Sequence, residues 1–217
     1  QDYNIGISYG NDKVRTSNVM NFHNEKGTIL NSKYQRFSLR SNNEFNISDN
    51  IRAGINIAPS LAIANNTDTD GEFQIYFAAH TAPPIFDANE KNPDGTLVGL
   101  FTDTPAPVIR YPNPKQQLLE KQQHSQAFRM LTNTFVEVKF LKDFRVTSAI
   151  SSEMYMPFTR NYQGSYVASN FWDIPPRNAT ANSGSTTDYS WAWENTLKYN
   201  KTIADKHNID FLIGYTA

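Results

Sequence analysis

The chain has no cysteine, which excludes a disulfide framework, a thiolate zinc site and a cysteine nucleophile. A periplasmic or surface location stays open, because disulfides are optional there. It also lacks any block of lysine or arginine, and its formal net charge is -1. The clustered basic face that nucleic-acid binding requires is therefore missing. No apolar stretch approaches the roughly 18 to 20 residues of a membrane helix, and mean hydropathy is negative. That absence excludes helical membrane proteins only. In a membrane barrel every second residue faces a polar lumen, so the average resembles that of a soluble protein. Gln1 opens the 217 residues without an initiator Met or a signal peptide, as a processed product or a fragment would.

What the sequence does have is alternation, the period of a strand whose successive residues point to opposite faces. From Asn50 to Ala64 the odd positions are Ile51, Ala53, Ile55, Ile57, Pro59, Leu61 and Ile63, while the even ones include Arg52, Gly54, Asn56 and Ser60. Before it, Phe37, Leu39, Phe45 and Ile47 alternate with Arg36, Ser38, Arg40, Asn42, Glu44 and Asn46. Tyr3, Ile5, Ile7 and Tyr9 form a similar set, followed by a weaker strand around Thr16–Phe22. Later sets are Phe128, Met130, Val136, Val138 and Phe140; Phe144, Val146, Ile150, Met154 and Met156; Tyr189, Trp191, Trp193, Leu197 and Tyr199; and Ile209, Phe211, Ile213 and Tyr215. In the first of these, Leu131, Phe135 and Leu141 fall on the polar side. About eight strands result, each near the roughly 9 to 11 residues that cross a bilayer at a tilt.

The connectors alternate in length. Gly10–Lys13, Ser48–Asn50, Lys142-Asp143 and Ala204–Lys206 read as tight polar turns. Between them lie long links at Asn24–Lys33, Asn65–Ser125 and Pro157–Thr187. Short turns at one end and long loops at the other are the habit of outer-membrane barrels, short on the periplasmic side and long on the extracellular side. The second link carries Pro83, Pro84, Pro93, Pro105, Pro107, Pro112 and Pro114, and a loop of that size is usually functional. The third holds Tyr162, Tyr166, Phe171 and Trp172, which are the candidate contacts for a ligand or partner.

These residues also resemble a known family. Tyr3-Asn4-Ile5-Gly6-Ile7-Ser8-Tyr9-Gly10 running to Asn24-Glu25-Lys26-Gly27, then Tyr34–Leu39 with Ile51–Ile57, are similar to successive hairpins of the SusC/RagA type of TonB-dependent outer-membrane transporter. Pro83-Pro84-Ile85-Phe86-Asp87 with Asp94-Gly95 and Asn113-Pro114 resembles that family's long loop. Trp191-Ala192-Trp193-Glu194-Asn195-Thr196-Leu197-Lys198-Tyr199 through His207 to Gly214-Tyr215 resembles its most specific hairpin. The resemblance implies an all-β, antiparallel transmembrane barrel of about 22 strands around a plug, of which residues 1–217 supply roughly a third. Neither the plug domain nor the TonB box falls in this sequence on that reading. It further implies import of oligosaccharides or peptides at the cell outer membrane, a SusD-like surface lipoprotein over the long loops, and work from the TonB complex acting on the plug.

Other constellations carry less. His23, His80, His124 and His207 lie far apart without the paired spacing of a zinc site. Asp68, Asp70 and Glu72 alternate as calcium ligands do but lack the rest of that pattern, and read as a solvated acidic loop. Glu44, Glu137, Glu153 and Glu194 sit on polar strand faces beside cations or amides rather than reading as a glycosidase pair. Tyr189, Trp191, Trp193 and Tyr199 read as an aromatic girdle before a sugar platform. No catalytic residue, metal or cofactor is expected. The rival readings are a secreted β-sandwich that binds carbohydrate, which would bury Ile51, Ile55, Ile57 and Leu61 against a second sheet, and a β-rich glycosidase.

Overall fold

The computed structural model describes residues 1–67, 74–102, 110–168, 172, 174–204 and 206–217. In chain order the elements are β1 (Asp2–Gly10), β2 (Val14–Lys26), β3 (Lys33–Ser48), β4 (Ile51–Asn66), α1 (Ile75–Thr81), β5 (Leu100–Thr102), β6 (Arg110–Pro112), α2 (Pro114–Glu120), β7 (Lys121–Phe140), β8 (Phe144–Gln163), β9 (Thr180–Ser185), β10 (Asp188–Ile203) and β11 (His207–Thr216). The long strands form one all-antiparallel meander in the order β1-β2-β3-β4-β7-β8-β10-β11, with β9 added to the outer part of β8. β5 and β6 make a separate small ladder.

Local chemistry explains the tight turns. Asn11 Oδ1 accepts from the backbone N–H groups of Lys13 and Val14, at 2.9 and 2.7 Å, closing the β1–β2 turn. Leu141 and Lys142 both take positive φ, 47° and 61°, to reverse the chain between β7 and β8. The link between β2 and β3 is only Gly27–Ser32, shorter than the Asn24–Lys33 expectation, because the polar residues at its ends stay paired in the ladder. The other two links shorten likewise: Lys121–Ser125 and Pro157–Gln163 are strand.

Directly paired residues share a face, so the register sorts the side chains. One face carries the row Tyr3, Phe22, Phe37, Leu61, Phe128 and Met156. Tyr3 and Phe22 stack at 6.2 Å and Phe22 and Phe37 at 4.5 Å. Nearer the turns the same face carries a second aromatic row, Phe140, Phe144, Tyr199 and Phe211, with ring separations of 5.4 Å for Phe140–Phe144 and 4.7 Å for Phe144–Tyr199. Ile55, Ile57, Met130, Met154, Trp191 and Trp193 fill the band between them. The aromatic side chains on this face are therefore concentrated in the two rows. Of the aromatics expected there, Tyr199 joins one, while Trp191 and Trp193 run down the middle of β10.

Four polar side chains on this face satisfy one another. Thr16 Oγ1 donates to Asn43 Oδ1, Asn43 Nδ2 to Ser41 Oγ, Ser41 Oγ to Asn18 Oδ1 and Asn18 Nδ2 to Thr16 Oγ1, at 2.6, 2.9, 2.5 and 2.9 Å, a closed ring. The Trp193 indole N–H donates to Ser148 Oγ at 3.0 Å.

No second sheet covers the apolar face among the described residues, and Ile5, Phe37, Ile55, Trp191 and Phe211 remain exposed on it. The buried apolar residues, Ile75, Ala78, Phe101, Val167 and Ala168, all lie in the connections instead. A sandwich of this size would bury its alternating side chains between two layers, so the soluble-sandwich expectation is contradicted.

Candidate functional site

The opposite face is polar, and its charges form a ladder across four strands. Arg52 on β4 lies between Glu44 on β3, at 3.6 Å, and Glu137 on β7, at 3.3 Å. Glu137 in turn meets Arg145 on β8 at 3.6 Å. Further from the turns, Asn56 donates to Asn133 and Asn133 to Ser151, and Arg129 pairs with Glu153 at 2.8 Å. Glu137 is the buried member, its side chain 8% exposed, and it is held by two cations on neighbouring strands. The carboxylates weighed as a glycosidase pair are thus engaged with arginines at Glu44, Glu137 and Glu153.

Apolar residues also fall on this polar face, and one of them has a clear cause. Phe135 lies directly opposite Gly54, where a Cβ would come within 2.3 Å of its ring. The missing side chain makes the berth for the ring. Arg52 covers it from above, 5.4 Å from the centroid. The ladder's central cation is thereby placed by an aromatic ring as well as by carboxylates. The grooves between the ladders are open: one of about 480 Å³ is lined by Arg40, Asn42, Asn56, Asn133, Glu153 and Ser190 among others.

At the far end from the turns the two longest links pack into a cap. Asn113 organises it. Its Oδ1 accepts from the N–H groups of Lys115 and Gln116, capping α2, whose first residue is Pro114. Its Nδ2 donates to the carbonyls of Ala88 and Val98, at 3.2 and 2.7 Å. One buried amide thus ties three segments. Gln117 donates to the carbonyl of Ala168 at 2.8 Å, joining the second link to the third. Gly99 is required where they touch, since a Cβ there would lie 1.7 Å from the carbonyl oxygen of Tyr166.

The expected contact residues separate. Tyr166 is engaged inside the cap: its hydroxyl donates to Asp94 Oδ2 at 2.6 Å, and Thr96 also donates to Asp94. These bonds, first from the Thr96 and Tyr166 side chains, hold the Asp94 carboxyl down at about 2, and the same carboxylate raises the Tyr166 hydroxyl. Trp172 is 83% exposed on the cap. Tyr162 is on the outer extension of β8, on the apolar-face parity, opposite Gln122. No hydrogen bond or ring contact among the described residues joins Tyr162, Tyr166 and Trp172. Phe171 lies outside the described residues, as do Asp68, Asp70 and Glu72. Reading the sequence placed Glu44 and Glu137 beside cations, as the structure has them, but missed Gly99, the tie made by Asn113 and the choice of Arg52 and Arg145 as the partners. Of these only the Asn-Pro pair at 113–114 carried a local signal, that of a helix start.

No protein-family model matches the sequence, and no curated protein matches it. Solved structures do. The chain is similar to the RagAB peptide importer in its "open-open" state, with a TM-score of 0.79 and 17% identity over 99% of this chain and 23% of that one. Its "closed-closed" state gives 0.77 and 17%, over 99% and 24%. A further structure of the RagAB peptide transporter gives 0.76 and 16%, also over 99% and 24%. The shared fold is a wall of antiparallel barrel hairpins, and this chain spans about a quarter of the length of the chains it matches.

Proposed function

We propose that the chain forms part of the wall and the extracellular loops of a TonB-dependent, SusC-like importer in the cell outer membrane. The single observation that carries this is the uncovered apolar face bounded by two aromatic rows, set back to back with a face of ion pairs and amides. On β7 the rows are marked by Phe128 and Phe140. Those twelve residues measure about 40 Å along the strand, or about 28 Å of height at a tilt near 45°, against an apolar band of about 25 Å in such barrels. Lipid is the environment that such a band fits. In lipid every unpaired backbone group costs several kcal/mol, so the outer edges of β1 and β11 call for further strands. The resemblance supplies them as a barrel of about 22 strands around a plug, with residues 1–217 a partial barrel domain.

The polar face then lines the lumen, and its paired charges present a wetted wall to a peptide or an oligosaccharide. Peptide is favoured as the first cargo to test, because the similar structures are described as a peptide importer. A SusD-like lipoprotein would close over the cap, where Trp172 stands exposed to meet it, and the TonB complex would act through the plug. No bond is made or broken by these residues. Cell fractionation followed by transport tests the reading. The protein should partition with outer membranes and need detergent for extraction, and its deletion should abolish uptake of labelled oligopeptides or oligosaccharides. A protein that stays monodisperse in water without detergent would end it.

A further inference from the structure

The outward face does not stop at the aromatic row. Four residues beyond that row, away from the turns, the register brings Lys26, Lys33, Asn65, His124 and Arg160 side by side on five consecutive strands. On β7 the step from Phe128 to His124 is about 13 Å of strand, roughly 9 Å of height at the same tilt. That is headgroup depth, since the polar zones add several ångströms on each side of the hydrocarbon.

Three features set this row apart from an ordinary wet rim. Lys26 and Lys33 are direct cross-strand partners, and like charges in that position destabilise a sheet. Among the described residues no carboxylate lies within ion-pair distance of Lys26, Lys33 or Arg160. The row also borders a cleft of about 600 Å³ lined by Lys26, Asn31, Lys33, His124, Arg160 and Tyr162 among others, with no Asp or Glu among its described lining residues. Asn65 Oδ1 takes the bond to His124 Nδ1 at 2.9 Å, which fixes the ring at the edge of the cleft. A cluster of unneutralised cations, facing the bilayer at headgroup depth, is complementary to an anion borne by a lipid.

We propose that Lys26, Lys33, His124 and Arg160 form a binding site for the phosphate groups of a phosphorylated glycolipid in the outer leaflet. The inference rests on the membrane placement proposed above. Bound phosphate would bridge Lys26 and Lys33 and turn their repulsion into shared charge-assisted contacts. Tyr162, expected to touch ligand or partner, would then meet the lipid's sugar.

The protein is purified in a non-ionic detergent, and binding of bisphosphorylated lipid A is compared with that of its fully dephosphorylated form. The variant K26Q/K33Q/R160Q keeps the side-chain stems and removes the permanent charges. The wild type is expected to prefer the phosphorylated lipid by at least about tenfold, and the triple variant to lose that preference while keeping the wild-type yield and unfolding at or slightly above the wild-type temperature in lipid-free detergent. Equal binding by wild type and variant overturns the proposal. So does displacement by millimolar inorganic phosphate as effective as by lipid, which would make this a free-anion site, or a preference for an acidic peptide, which would make it a protein interface. Should the protein prove soluble without detergent, the membrane reading itself has failed; should it sit in the membrane and ignore the lipid phosphates, only this site has.

Discussion

Replacing Gly54 by alanine tests how the ladder on the polar face is built. The new Cβ would lie 2.3 Å from Phe135 Cε1 and 2.7 Å from Cζ, both well inside the ordinary carbon contact of about 3.5–4.0 Å. The backbone at both positions is held by the β4–β7 pairing, so the ring must swing away. It then gives up its cover of the strand and its place under Arg52, a contact of about 0.5–1 kcal/mol at a partly exposed site. With the strain of overpacking, Gly54→Ala should destabilise the sheet by about 1–3 kcal/mol. The readout is the urea midpoint of the protein in detergent, followed by tryptophan fluorescence. Phe135→Leu should cost about 1 kcal/mol alone, because it vacates part of the berth, and the double variant should be less destabilised than the two singles summed. Strict additivity of the pair, or an unchanged midpoint for Gly54→Ala, would refute the berth.

Three further outcomes are expected. Glu137→Ala removes the carboxylate shared by Arg52 and Arg145, which are 40% and 46% exposed; solvent screening reduces the cost of breaking a buried pair to about 1–2 kcal/mol, and the unfolding midpoint should become less sensitive to salt than that of the wild type. Asn113→Ala strands two N–H groups and two carbonyls in the cap, and protease cleavage within 83–99 should become faster, consistent with about 1–3 kcal/mol of local loss. Because the Asp94 carboxyl is held at about 2, below its ordinary 3.8, its contribution is complete above the ordinary value and fades as pH falls from about 4 toward 2. Hydrogen-exchange protection of 90–99 and 164–168 should drop across that window, and Asp94→Asn should abolish the step; a cap equally protected at pH 2 and pH 5 in the wild type would contradict it.

The strands were legible where the alternation has a greasy side. β1, β3 and β4 announce themselves through Tyr3–Tyr9, Phe37–Ile47 and Ile51–Ile63, since one face must be apolar whatever lies against it. The ends were not legible. Lys121–Ser125 and Thr159–Gln163 extend past the apolar band, where both faces are wet and the period-two signal vanishes; their pairing with each other is what keeps them extended. β9, Thr180–Ser185, reads as loop for the same reason, with only its ladder to β8 to define it. The site was less visible still, because its neighbours are remote in sequence: Arg52 and Glu137 are 85 positions apart, and Asn65 and His124 are 59 apart. Register alone joins them. The aromatic signal in the third link was real as composition, yet it could not tell that Tyr166 is committed to Asp94 while Trp172 faces outward.

The circle of Thr16, Asn18, Ser41 and Asn43 has an implication for how such a surface can drift. Each member gives one proton and takes one, so the four are neutral to their surroundings only as a set. Exchange any one for an aliphatic residue and two neighbours are left with orphaned groups in the apolar band, a worse condition than either the full quartet or four greasy replacements. Intermediate sequences are the unfavourable ones. The patch is thus expected to persist or disappear as a block, and a hydropathy scan reading one residue at a time would mistake it for a break in the apolar face.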